Sequence, residues 1–135
     1  MDKNIAVESL TDTMAKFTAY IGKRLPKDVK RKLIELRTLE TNPLAKSIYD
    51  SMDENQEAAD RLNRPSCQDT GVIQYFVEAG ANFPLLGELQ DILREATEEA
   101  TRSGPLRHNA VETFDEKNTG TNTGTQIPWL DWRIV

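Results

Sequence analysis

A chain of 135 residues with 38% hydrophobic and 29% charged residues is long enough for one modest core and too apolar in its periodic stretches to be disordered throughout. Its net charge of -5, with 17 basic residues scattered among 22 acidic ones, gives no electrostatic footprint for nucleic acid or an anionic membrane surface. No stretch approaches the ~20 apolar residues of a membrane span, and the start carries no basic, then apolar leader, so a cytoplasmic location is expected. With one cysteine there is no intrachain disulfide.

Val7, Leu10, Met14, Phe17 and Ile21 recur at spacings of three and four, which predicts a helix over residues 5–21 stopped at Gly22. Pro26 suits a first helical turn, and Val29, Leu33, Leu36 and Leu39 extend a second helix to the break at Thr41-Asn42-Pro43. Asn42 or Thr41 then caps a third helix with Pro43 at its first position. Leu44, Ile48, Met52, Ala59 and Leu62 are expected to face inward.

Residues 63–71 are polar and contain Pro65 and Gly71, so they form a loop. The β-branched and aromatic run at 72–77 reads as a strand. Pro84, Leu85, Leu89, Ile92, Leu93, Ala96 and Ala100 mark a fourth helix ended by Ser103-Gly104-Pro105. Residues 106–114 read as extended, 115–126 as an Asn, Thr and Gly loop, and 129–135 alternate as a strand that stops with no turn. The expected class is α+β, about four helices with a small sheet. It is a single incomplete domain over 1–135, with a helical lead-in at 1–62, a loop at 63–71 and mixed structure at 72–135. An unpaired apolar strand at the terminus suggests that further sequence follows.

A lone cysteine is most often a small buried hydrophobe. Cys67, however, follows a proline in a polar loop beside Gln68 and Asp69, which favours an accessible thiol. His108 is the single histidine, and nothing in the sequence brings it to Cys67 as a catalytic base. One Cys and one His cannot furnish a metal site without ligands from elsewhere. Arg107, after a Gly-Pro break, suits bidentate recognition of a carboxylate, although a solvated arginine is the commoner outcome. The loop at 118–124 could form an anion nest or simply tight turns, and Glu95, Glu98 and Glu99 read as a solvated face.

Four stretches together resemble the iron–sulfur hydro-lyases of the tartrate dehydratase and class I fumarase type. They are Arg64-Pro65-Ser66-Cys67-Gln68-Asp69-Thr70-Gly71, Phe83-Pro84-Leu85-Leu86-Gly87-Glu88-Leu89-Gln90, Pro105-Leu106-Arg107-His108-Asn109-Ala110-Val111-Glu112, and the double Asn-Thr-Gly loop. Their order and spacing run through the whole chain. Gly124, where the fumarases more often carry proline, and Leu106 to Asn109 tilt the resemblance to the tartrate branch.

The resemblance implies a 4Fe-4S cluster held by three cysteines, with one iron free to act as a Lewis acid in the dehydration of L-tartrate to oxaloacetate. Cys67 would be the first cluster ligand, and Gln68, Asp69 and Arg107 would line the substrate. The family's two other cluster cysteines are not among these 135 residues. A beta subunit and a second alpha chain would complete a heterotetramer, with a group of the beta subunit as the expected proton abstractor. Fumarate or malate is the alternative substrate. A catalytically silent fragment that keeps only an interaction surface is the alternative of another class.

Overall fold

The computed structural model describes residues 2–66, 71–104 and 106–135. It contains the helices α1 (Lys3–Ile21), α2 (Lys27–Leu39), α3 (Pro43–Leu62) and α4 (Leu89–Ser103), and the strands β1 (Gln74–Ala79) and β2 (Trp129–Ile134). The class is α+β, as the sequence predicts.

The helix ends follow from local chemistry. The Asp2 side chain accepts from the Asn4 N–H at 3.1 Å, and Asn42 Oδ1 accepts from the Leu44 N–H at 2.9 Å with Pro43 opening α3. At the other end of α3, Asn63 turns left-handed and the Arg64 N–H reaches Ala59 O at 2.9 Å. The fourth helix starts five residues later than Pro84 suggests. Residues 83–88 instead close successive tight turns, with N–H groups of Phe83, Leu86 and Glu88 bonding three residues back. Proline tolerates either conformation, and Gly87 weakens the helical one. Residues 106–114 form no strand, and only an isolated bridge joins Val111 to Asn118.

The core is built by α1, α4 and the inner face of β1. Ile92, Leu93, Ala96 and Ala100 on α4 are buried together with Leu85, Leu89, Tyr75 and Ala79. Across from them α1 presents Ala15, Thr11 and Thr18 rather than its larger residues, so the two helices approach closely through small side chains. Phe17 and Ile21, on the apolar stripe of α1, are half exposed. The Tyr75 hydroxyl sits between Thr18 Oγ1 at 2.8 Å and Thr97 Oγ1 at 3.1 Å. Thr97 directs its own hydrogen to Leu93 O, so Tyr75 donates to Thr97 and accepts from Thr18. A strand and two helices are thereby tied by one satisfied polar chain in an apolar interior.

The strands run parallel, from Gln74 opposite Trp129 to Ala79 opposite Ile134, with α4 on the connection between them. Among the described residues the sheet has these two strands, and its outer face carries Phe76 and Trp129 exposed.

α2 buries no residue, and α3, whose stripe is expected to face inward, buries only Ala59. Leu39 is 69% and Leu44 72% exposed. The pair forms a hairpin in which Arg37 grips Asp50 with Nε and with Nη2 at 3.0 Å, and Arg24, on the chain leading into α2, meets Asp60 of α3 with Nη2 at 2.6 Å. The periodicity was real, but it identifies an apolar face without saying what covers it.

These pairs set a pH response. The Arg37 guanidinium holds the Asp50 carboxyl below its ordinary range, and the N–H groups of Asn42 and Thr41 do the same for Glu40. A carboxyl depressed in the folded state stabilises it above the unfolded carboxylate pKa of about 4 and loses that contribution as pH falls through the folded value. The helical circular-dichroism signal is therefore expected to weaken on acidification below that range. A signal that stays flat through the carboxylate range would show that these contacts add nothing.

Candidate active site

A cleft of about 180 Å³ opens where the end of α1, the chain after α3, the entry to β1 and the chain after α4 converge. Its walls are Gly22, Pro65, Ser66, Gly71, Val72, Ile73, Leu106, Arg107, Asn109 and Asn122. Ser66 and Gly71, which bracket residues 67–70 in sequence, both line it. Of the predicted site residues, Arg107 lies on the wall and is exposed. Cys67, Gln68 and Asp69 lie outside the described residues.

Each wall is fixed by its neighbours. Leu106 packs on the end of α1 so closely that a Cβ on Gly22 would fall 2.3 Å from its Cδ2. The entry to β1 is held by the sheet, with the Trp129 N–H donating to Ile73 O at 3.1 Å. The chain from Arg107 to Asn109 has no ladder of its own and is held by side chains instead. Asn122 Nδ2 donates to Arg107 O at 2.7 Å, and Asn122 Oδ1 accepts the Asn109 N–H at 2.7 Å. Asn109 Nδ2 then donates to Gly71 O at 3.1 Å, joining the two walls.

The loop at 118–124 thus acts as a clamp. Its polar groups bond within the protein: the Gly120 N–H to Asn118 Oδ1 at 2.8 Å, Thr121 Oγ1 with Thr123 Oγ1 at 2.8 Å, and Asn118 Nδ2 to His108 O at 2.7 Å. Glu98, read from the sequence as solvated, is half-buried and accepts from Thr123 Oγ1 at 3.0 Å. His108 contributes its carbonyl to this frame and leaves its imidazole exposed.

Sequence reasoning missed Asn109 and Asn122. The signal was in the repeated Asn-Thr-Gly, because asparagine both tolerates a left-handed backbone and carries an amide able to grip another strand. Gly120 and Asn122 do adopt left-handed φ values of 73° and 57°.

The cleft leaves the Arg107 side chain available while its backbone is fixed, and among the described residues no carboxylate pairs with its guanidinium. A planar fork of donors at the rim of a small cleft is suited to a carboxylate of a compact acid. The volume is below that of pockets for drug-sized ligands, roughly 300–1,000 Å³.

Comparison with known proteins finds relatives along almost the whole chain. The L(+)-tartrate dehydratase subunit alpha of Escherichia coli strain K12 is 55% identical over 134 residues, covering 99% of this chain and 44% of the relative. The corresponding subunit of strain UTI89 is 56% identical over the same shares. A putative L(+)-tartrate dehydratase subunit alpha of Methanocaldococcus jannaschii is 33% identical over 113 residues, 79% of this chain and 38% of the relative. The chain thus spans less than half the length of the curated relatives it matches. The model of the fumarate hydratase (fumerase) family matches residues 11–135, and the chain belongs to that family.

Proposed function

We propose that these 135 residues form one wall of the active site of a hydro-lyase that dehydrates L(+)-tartrate to oxaloacetate. The observation that carries the reading is the Arg107 guanidinium, anchored through its backbone at the rim of a small cleft whose other rim is Ser66 and Gly71. The identity to tartrate dehydratase alpha subunits favours tartrate over fumarate or malate, which remain the second reading because the family model is that of fumarate hydratase.

Arg107 would hold one carboxylate of the substrate with two parallel N–H donors, fixing the orientation of the carbon skeleton. Gln68 and Asp69 are proposed to bind and orient the substrate hydroxyl by hydrogen bonds. Loss of one water from tartrate gives the enol of oxaloacetate, and a group of the partner subunit is proposed to take the proton.

Cys67 is proposed as one thiolate ligand of a 4Fe-4S cluster, which when bound would supply Lewis acidity at the leaving hydroxyl. The donor set fits one corner of such a cluster. Cys67 is the single cysteine of the 135 residues, and the segment that holds it is bracketed by two residues of the cleft wall. The remaining thiolates would come from chain outside these residues. The working enzyme is proposed to be a cytoplasmic heterotetramer with a second alpha chain and with beta subunits that contribute to the site. No helix among the described residues is long and apolar enough to cross a membrane.

The test is an anaerobic assay of the complete two-subunit enzyme on L-tartrate, fumarate and malate. Preference for L-tartrate supports the proposal, and preference for fumarate or malate replaces it with the second reading. The 135-residue chain alone, reconstituted with iron and sulfide, is expected to show neither stable cluster absorbance nor turnover. Turnover by the isolated chain would overturn the one-wall reading.

A further inference from the structure

We infer that Asn122 is a positioning residue, which sets the place of Arg107 and, through Asn109, its distance from Gly71. The inference rests on the proposed role of Arg107 as the carboxylate-binding group.

Asn122 is only 6% exposed, so its amide has to find its hydrogen-bond partners inside the protein. Its amide has three bonds: Oδ1 accepts the Asn109 N–H, and Nδ2 donates to Arg107 O at 2.7 Å and to Thr101 Oγ1 at 3.2 Å. Thr101 belongs to the buried face of α4 and its hydroxyl donates to Thr97 O at 2.8 Å, so the clamp is rooted in the helix that carries the core. From there the path runs through Asn122 to Asn109, whose Nδ2 holds Gly71 O. One polar chain therefore spans from the core to both rims of the cleft.

Its arrangement is specific. Aspartate at 122 keeps the acceptor but sets a carboxylate against the Arg107 carbonyl in place of a donor. Glycine at 122 keeps access to φ 57° but removes the amide. Asn109 and Asn122 both line the cleft, but the Asn122 amide is engaged by Arg107 O, the Asn109 N–H and Thr101 Oγ1. Their effect must pass through Arg107 and Gly71, in the way that supporting shells fix the groups that meet substrate.

The test uses the complete enzyme with Asn122→Gly, Asn122→Asp and Asn109→Ala. Asn122→Gly and Asn122→Asp are expected to raise KM for the dicarboxylate about tenfold while kcat per folded, cluster-loaded enzyme changes less than threefold. Asn109→Ala, which keeps the grip on Arg107, is expected to raise KM less. A purely structural role predicts the opposite split: a smaller active fraction with an unchanged KM, and that result would overturn the inference.

Hydrogen exchange at the Asn109 amide provides a readout independent of turnover. It should accelerate at least tenfold in Asn122→Gly. Should the wild-type enzyme leave all three dicarboxylates unchanged, the functional reading fails. The exchange measurement then still decides the clamp, and wild-type protection retained in Asn122→Gly would overturn it.

Discussion

Replacing Arg107 by lysine in the complete enzyme is expected to lower kcat/KM for its dicarboxylate about a hundredfold, and replacement by alanine to lower it further. Lysine keeps the positive charge but gives up the planar fork, so two parallel charge-assisted hydrogen bonds become one flexible contact. A hydrogen bond to a charged group contributes about 1.5–3 kcal/mol. Losing one, together with the geometry it imposes, amounts to roughly two factors of ten. Because Arg107 would grip a carboxylate that does not itself react, the loss should fall mainly on KM, with kcat following only so far as orientation suffers. The side chain is exposed, so the thermal midpoint should move little. Steady-state kinetics check both statements, and a less than threefold change in kcat/KM for Arg107→Ala would remove Arg107 from the site.

The largest effect on stability is expected at Gly104. A Cβ there would fall 2.3 Å from Ala19 Cβ, 3.1 Å from Ala19 Cα and 2.7 Å from Ala100 O, two of them backbone atoms that cannot rotate away. Its φ of -99° is open to any residue, so the requirement is for space alone. Gly104→Ala must therefore push α1 away from α4, at a cost of about 2–3 kcal/mol by analogy with other overpacked cores. Thermal denaturation of the complete enzyme should show the drop. Adding Ala19→Gly removes the nearest of the three contacts, so the double variant should lose less than the sum of the single ones. Strict additivity would mean that the helices do not meet there. Gly104 lies three residues before Arg107, and the same displacement should also raise KM.

How much of this was written in the sequence depends on the range of the forces involved. Asn42 and Pro43 announced the start of α3, and Gly22 and Gly104 the ends of α1 and α4, because capping is settled within a few residues. The turns at 83–88 were hidden behind Pro84, which serves helix and turn alike. The apolar stripes of α2 and α3 were visible, but their exposure was not, since a stripe is a property of one helix and its cover is a property of another.

For the site, residue type and the Gly-Pro break single out Arg107 as a candidate without deciding against a solvated arginine; it is exposed and lines the cleft. The grip of Asn122 on Arg107 and the link from Asn109 to Gly71 were not legible, because they join segments 15 and 38 residues apart. Cys67, Gln68 and Asp69 owe their proposed roles to family resemblance and lie outside the described residues.

The parallel pairing of β1 with β2 also bears on when the cleft can exist. Residues 71–73 take their place through Gly71 O, held by Asn109, and through Ile73 O, held by the Trp129 N–H. The second tie closes a long loop that contains the whole of α4, and pairing of that kind is intrinsically slow because chain entropy is lost before any strand contact is gained. On the ribosome, α1 to α3 can therefore form while the cleft is still open. Its rim settles only after residues 129–135 have cleared the exit tunnel.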